Sequence, residues 1–350
     1  MSQKIAIITS GGDAPGMNAA VRAVVRAGNA AGFKVYGVDS GYTGLLEAGN
    51  DPSRIRQLGT EDVADIVLRG GTILRSAREL RMQQPEWRQI AAKNLKDLGI
   101  GWLVVIGGNG SFTGALLLKE ECGVNVIGIP ATIDNDLAYT EWTIGLDTAA
   151  NTALTCITHL RDTMNALNRV CFVEIMGRHC GDLAMYAGIA GGAENVLVRE
   201  VYEGKSTDEI AKIIYQNLLL SHRRGKRGSI ITVAEGLGDG RITKGQSIAQ
   251  LLAESVQALS DADNAGLDVK SAVLGHVQRG GNPSARDVIL ASQFGAHAIR
   301  LIQQGQSGKM IGSQNDMVIE EDITLPKLDP DNERRPFKQH LFDLALLLGQ

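Results

Sequence analysis

The feature that most constrains this chain is a recurring one. Short, nearly unbroken aliphatic runs are each followed by glycine or polar residues and then by a stretch of helical period. KIAIITS (Lys4 to Ser10), FKVYGV, WLVVIGGNGS and NVIGIP form a first series, and VCFVEIM, NVLV, SIITVAE and AVLGHVQRGGNP a second. Strands apolar on both faces are covered on both faces, and intervening helices supply the crossovers that parallel strands require. The expected fold class is α/β, with two three-layer αβα domains and mostly parallel sheets. A length of 350 residues also suits about two domains. Their expected limits are 1–145 with about 278–330, and 146–277 with about 331–350.

Between the strands the pattern predicts helices after the Gly11-Gly12 turn, over Glu61 to Leu68 and from Trp87 to Leu98. Further helices are expected in SFTGALLLKEE, from Asp147 to about Leu167, from near Gly181, over Asp208 to Leu220, over Ser247 to Leu259 and in SARDVILASQFGAHAIRLIQQG. Gly41-Tyr42 reads as loop, and the GLGDGRITKGQ stretch after Glu235 as a polar insertion. The last segment reads as an amphipathic helix with Phe337, Leu341, Leu344 and Leu348 on its apolar face.

Composition narrows the function. A net charge of −4 disfavours a nucleic-acid or membrane-surface partner. Cys122, Cys156, Cys171 and Cys180 lack zinc-type spacing and read as reduced core thiols. The six histidines are scattered, with no HExxH and no paired spacing, so a histidine-built metal site is not expected. No apolar run approaches the ~18 residues of a membrane span, and MSQKIAIITS lacks the layout of a signal peptide. A cytoplasmic protein is expected. The 42 glycines, about 12% of the chain against about 7% usually, cluster beside apolar runs, where backbone can pack close to a ligand.

The densest chemistry lies in GIPATIDNDLAYTEWTIG. After Pro130, Thr132, Asp134, Asn135 and Asp136 crowd the exit of a buried strand, the place where open α/β sheets gather ligands. Asp and Asn closing a turn on their own backbone is the alternative reading. Three glycine-rich stretches (Ser10-Gly11-Gly12-Asp13, Gly107-Gly108-Asn109-Gly110-Ser111 and Arg69-Gly70-Gly71) are read as anion-binding turns. None fits GxGxxG or a P-loop. Arg78, Arg169, Arg178 and Arg279 fall at expected loops or strand ends, where a guanidinium can clamp phosphate. Together these suit phosphoryl transfer. Asp134 would act as base toward an acceptor hydroxyl, while Asp136 and the Asn109 loop would hold Mg²⁺ through water.

TSGGDAPGMNAAVR, GGNGS, PATIDND, EIMGRHCGD, ITVAEG and LGHVQRGG, in that order, resemble the bacterial-type 6-phosphofructokinase family over nearly the whole chain. The resemblance implies the Rossmann-like fold of that family and homotetramers with active sites at subunit contacts. It also implies transfer of the γ-phosphoryl of MgATP to the 1-hydroxyl of fructose 6-phosphate. By this resemblance Asp134 is the base, Thr132 touches the transferring group, and Arg178, with Met176 and Gly177, stabilises its charge. Gly12, Arg78, Gly108, Asn109, Gly110 and Ser111 surround the nucleotide. Glu235 meets sugar hydroxyls, while His276, Arg279, Lys270 and a neighbouring subunit's Arg169 meet the sugar phosphate. A nucleotide or phosphoenolpyruvate effector would meet Arg22, Arg26, Arg161, Glu194, Arg224 and Lys226.

The chain also departs from the family pattern. Asn109 stands for the Mg²⁺-serving aspartate of GGDGS, and a neutral amide supplies less local counter-charge. Pyrophosphate users carry Asp at Gly110 and Lys at Ala131, so their absence favours ATP. Glu79 replaces an aromatic residue at the adenine, Lys270 a bidentate arginine, and Thr60 an effector-site arginine. A pyrophosphate-dependent or other sugar-phosphate kinase, and a weakly catalytic regulatory subunit, stand as alternatives.

Overall fold

The computed structural model describes residues 3–226, 228–237, 246–328 and 336–349. Most of the insertion after Glu235, residues 238–245, lies outside the described residues. The chain divides into two compact units: 1–133, 137–148 and 279–335 in the first, and 134–136, 149–278 and 336–350 in the second. The limits differ from those expected chiefly in that Asp134 to Asp136 group with the second unit.

In the first unit the elements are β1 (Lys4–Thr9), α1 (Met17–Ala30), β2 (Lys34–Val38), α2 (Gly41–Glu47), β3 (Ile55–Gln57), α3 (Pro85–Asp97), β4 (Ile100–Gly107), α4 (Asn109–Cys122) and β5 (Asn125–Pro130). Among the described residues its strands form a seven-stranded sheet in the order β11-β10-β5-β4-β1-β2-β3, where β10 is Lys309–Gln314 and β11 is Met317–Asp322. The five central strands run parallel, and β3 and β11 close the edges antiparallel. Ile5 to Ile8 and Leu103 to Ile106 are fully buried, as continuous aliphatic runs in a sheet covered on both faces should be. From β1 the chain winds one way to β2 and the other way to β4. The carboxyl ends of β1 and β4 therefore flank the reversal point, where such sheets bind ligands.

The second unit carries most of α5 (Leu146–Leu167), then β6 (Arg169–Ile175), α6 (Asp182–Ala190), β7 (Asn195–Leu197), α7 (Arg199–Tyr202), α8 (Thr207–Arg223), β8 (Ser229–Ala234), α9 (Ile248–Ala262) and β9 (Asp268–Val273). Its all-parallel sheet has the order β7-β8-β6-β9 among the described residues. Phe172, Ile231 and Val233 meet Ile214, Leu252 and Val256 in one core. After α10 (Ala285–Gln303) and the β10–β11 hairpin come α11 (Leu325–Leu328) and α12 (Gln339–Leu348), which packs on α6 and β7.

Several local expectations fail for physical reasons. Glu61 to Leu68 is not a helix: only Glu61–Val63 makes a 3-10 turn, and Leu68 is exposed, so no continuous apolar face needs covering. Gly41-Tyr42 opens α2, because Tyr42 turns into the core. In α12, Phe342 and Ala345 are buried, whereas Leu344 and Leu348 face outward. Among the thiols only Cys171 and Cys180 are core residues; Cys122 and Cys156 are half-buried. Arg69-Gly70-Gly71 does not end a strand. The Asn18 side-chain amide binds the carbonyls of Arg69 and Gly70, which makes the segment a packed connection.

Candidate active site

In the first unit, two glycine turns meet at the reversal point. The Ser10 amide donates to the Ile106 carbonyl at 3.0 Å, and the Ser111 hydroxyl donates to the Ser10 carbonyl at 3.0 Å. The turn after β1 is thereby fixed against the turn after β4. Asn109, Gly110 and Ser111 form the opening turn of α4, so first-turn amides and the positive end of the helix dipole lie at this strand end. Behind them the buried Tyr42 donates its hydroxyl to the Ser111 carbonyl at 2.7 Å. Its ring is a prop that the sequence reading missed, though an aromatic residue in GYTG was the available signal.

Thr132 leaves β5 beside this turn. The Ala131 amide binds the Gly107 carbonyl at 2.9 Å, and a side-chain carbon placed on Gly108 would be 3.6 Å from the Thr132 Cβ. Arg279 reaches the opposite turn and donates to the Asp13 carbonyl at 3.4 Å. A Cβ on Gly12 would lie 2.1 Å from its guanidinium, so the absence of a side chain at residue 12 makes room for that charge. The first unit thus gathers Gly12, Gly108, Asn109, Gly110, Ser111, Thr132 and Arg279. Arg78 follows a connecting segment tied to the turn after β1 by Gly11 to Ala77 and Ser76 to Gly11 hydrogen bonds, with its own side chain exposed. Glu79 is occupied: Arg81 binds it through Nε at 2.8 Å and Thr43 through its hydroxyl at 3.0 Å.

In the second unit several of the expected residues lie at the carboxyl ends of β6 and β8. Met176 and Gly177 lead from β6 into Arg178, an exposed residue held at φ 50°. Such a conformation costs an L residue about 1–2 kcal/mol. The Arg178 amide donates to Glu235 Oε1 at 2.9 Å, and the Gly181 amide donates to Glu200 Oε1 at 2.8 Å. Gly236 lets β8 pass this turn, since a Cβ there would lie 1.8 Å from the Arg178 carbonyl oxygen. Glu235 lies within reach of the Asp134 charge. Burial pushes its carboxyl above the usual range, the Arg178 amide pulls it back, and the Asp134 charge raises it again. Asp134 is 6% exposed, and Asn135 behind it is fully buried at φ 54°. The second unit therefore brings Asp134, Arg178 and Glu235 together.

Other expected residues lie elsewhere. Arg169 opens β6, at the amino edge of the sheet, where Asp268 binds it at 2.5 Å and Lys270 at 2.6 Å. From Arg169 to the last residue of β6 is roughly 20 Å at ~3.3 Å per residue. Arg169 and Lys270 thus stand apart from the Arg178 of their own chain. His276, exposed, shares the 3-10 turn Gly275–Arg279 with Arg279. Glu194, 7% exposed, draws in Arg161 at 3.1 Å, Lys226 at 3.3 Å and the Ile230 amide at 2.6 Å. Arg224 follows directly after α8, and Arg22 and Arg26 stand one turn apart on α1 of the first unit. Among the described residues no group of three or more His, Cys, Asp or Glu side chains forms a metal cluster, and no helix is long and apolar enough to cross a membrane.

Glycine turns and helix-borne amides at the reversal point of a mostly parallel, helix-covered sheet define a doubly wound α/β protein, a class that holds phosphate at the carboxyl ends of its strands. Residues 4–302 match the family model described as Phosphofructokinase. The chain is 44% identical over 346 residues to the ATP-dependent 6-phosphofructokinase of Clostridium botulinum (strain Hall), covering 99% of both chains. It is 46% identical over 345 residues to the enzyme of the same name from Clostridium novyi (strain NT), with 99% of each covered. The structure of phosphofructokinase from Saccharomyces cerevisiae superimposes with a TM-score of 0.82 at 33% identity, over 99% of this chain and 48% of that one. The chain thus spans about half of that yeast protein. A pyrophosphate-dependent phosphofructokinase from Marinobacter aquaeolei shares the fold at 20% identity and a TM-score of 0.77, over 99% of this chain and 91% of that one. The chain belongs to the phosphofructokinase family.

Proposed function

We infer that this chain is an ATP-dependent 6-phosphofructokinase, transferring the γ-phosphoryl of ATP to the 1-hydroxyl of fructose 6-phosphate. The observation that carries the reading is the loop after β5. It sets Thr132 against the Gly108 turn and, two residues on, bears the buried carboxylate Asp134, whose charge reaches Glu235. Asp134 takes the proton of the 1-hydroxyl as that oxygen attacks the γ-phosphorus, and the bond from phosphorus to the bridging oxygen breaks to release ADP. Thr132 and the α4 amides orient the phosphoryl group, while Arg178 answers the charge that develops on it. Gly12, Arg78, Gly108, Gly110 and Ser111 surround the nucleotide phosphates. Glu235 accepts from sugar hydroxyls, and Met176 and Gly177 shape the wall beside it.

Asn109 and Asp136 offer oxygen donors only, the set that Mg²⁺ takes while keeping waters and substrate phosphates. They would hold the ion that accompanies ATP, and its charge offsets that of the polyphosphate. His276, Arg279, Arg169 and Lys270 serve the sugar phosphate. The ~20 Å that part Arg169 from the carboxyl end of its own β6 support its acting in a neighbouring subunit of a homotetramer. The Glu194 cluster with Arg161, Lys226 and Arg224, and Arg22 with Arg26, would receive an anionic effector, a nucleotide or phosphoenolpyruvate. A coupled assay with ATP, GTP and pyrophosphate, each with fructose 6-phosphate, tests the reading. Turnover with ATP is expected. Turnover with pyrophosphate alone would reassign the donor, and binding without turnover would leave a regulatory subunit.

A further inference from the structure

Asn135 poses a local problem of energy. It is 0% exposed, it carries a side chain, and it lies in the left-handed region at φ 54°. Asparagine visits that region more readily than most residues, and one held there in a fully buried site is fixed by what its side chain bonds. Its side-chain amide donates to Asp182 Oδ2 at 2.8 Å. Asp182 is the first residue of α6 and is 3% exposed. The same oxygen lies 3.6 Å from Lys338 Nζ, and this ammonium also binds the hydroxyl of Tyr186, one helical turn further along α6. Lys338 immediately precedes α12, which Phe342 (4% exposed) and Ala345 (5%) anchor, with Phe337 tilted against Phe342 at 5.8 Å between ring centroids. All these residues belong to the second unit.

We propose that Asp182 is a positioning residue, holding the Asn135 turn that aims Asp134, and that Lys338 fixes Asp182 from the C-terminal segment. The inference rests on the phosphoryl-transfer reading of Asp134. The chain's last helix thereby contributes to a reaction it does not touch, through one lysine, one carboxylate and one amide. An acid in the first helical turn also suits the helix dipole, so a purely structural role is the competing account. The two accounts differ in what a change at residue 135 can repair.

The test uses the full-length enzyme in steady-state assays, with thermal melting as the check on folding. Asp182→Asn keeps an oxygen acceptor and should hold kcat within roughly threefold, whereas Asp182→Leu should lower it roughly 10- to 100-fold, the usual cost of slight misplacement at a reacting group. KM for both substrates should change far less than kcat. Lys338→Met, at a residue that is partly exposed, should lower kcat severalfold in the wild type and add little to Asp182→Leu. Because glycine takes the left-handed conformation without a steric penalty, Asn135→Gly should restore roughly tenfold of the kcat lost in Asp182→Leu. Unchanged kcat in both Asp182→Leu and Lys338→Met would overturn the proposal. So would a loss that follows the melting temperature and is not repaired by Asn135→Gly. A wild-type chain without turnover would instead overturn the phosphoryl-transfer reading, and this inference with it.

Discussion

At Glu235, opposing effects act on one carboxyl. Burial and the Asp134 charge favour the protonated form, and the Arg178 amide favours the ionised one. Burial dominates, so its folded-state value lies above 4.5. The linkage follows in sign: the proton is held more tightly in the folded chain, so this group's stability contribution is complete below 4.5 and is lost as pH rises through the raised value. For binding, in the proposed role of Glu235, the direction reverses, because sugar hydroxyls would need the ionised acceptor. KM for fructose 6-phosphate should therefore rise as pH falls through that raised value. Glu235→Gln should raise KM at neutral pH by roughly 10- to 100-fold, the value of a hydrogen bond to a charged group, and flatten that acid-side rise. A variant that keeps the wild-type acid limb of KM would exclude Glu235 as its source. Asn109→Asp argues in the same terms: a carboxylate at the first position of α4 adds one negative charge. The Mg²⁺ concentration for half-maximal activity should fall in a titration of that variant, and no fall would remove Asn109 from the metal site.

Elements show why some of this was legible in sequence and some was not. The strands could be read because burial on both faces leaves little but aliphatic residues, as in β4 and β5. The exit carrying Asp134 was marked by Pro130 at the end of β5. Arg178 and Glu235 could be placed because each follows an apolar run directly. By contrast, α2 hides behind Gly41 and Gly44, which speak for a loop, and only the tertiary burial of Tyr42 makes it a helix. Asp182 and Lys338 are 156 positions apart, and no local pattern joins them. Packing between β5 and α4 gives a test at this scale. A Cβ on Gly128 would lie 2.9 Å from the Phe112 ring, which is fully buried. Gly128→Val should cost about 1–3 kcal/mol through overpacking, and Phe112→Ala about 3–5 kcal/mol through the cavity it leaves. Combined, they should cost less than their sum, because Phe112→Ala opens the space that Gly128→Val needs. Denaturant midpoints measure this, and strict additivity would mean that the ring and the strand do not compete for that volume.

For the whole molecule the question is how one chain can supply both ends of a sugar phosphate site. Arg178 and Glu235 stand at the carboxyl ends of β6 and β8, whereas Arg169 and Lys270 meet Asp268 at the amino edge of the same sheet. Lys270 foremost, then Arg169, holds the Asp268 carboxyl below its usual range, so both cations are paired at the amino edge. No side chain covers the ~20 Å length of β6. The proposed homo-oligomer would remove the difficulty, since in a two-fold arrangement each copy would lend its amino-edge cluster to its neighbour's carboxyl-end carboxylates. Complementation tests this. Asp134→Ala chains and Arg169→Ala chains should each be nearly inactive alone. Unfolded together and refolded at equal amounts, they should recover about a quarter of wild-type activity, because random pairing joins an intact Asp134 to an intact neighbouring Arg169 at one site in four. Activity that never exceeds the sum of the two parents would place Arg169 outside the site, and Lys270 with it.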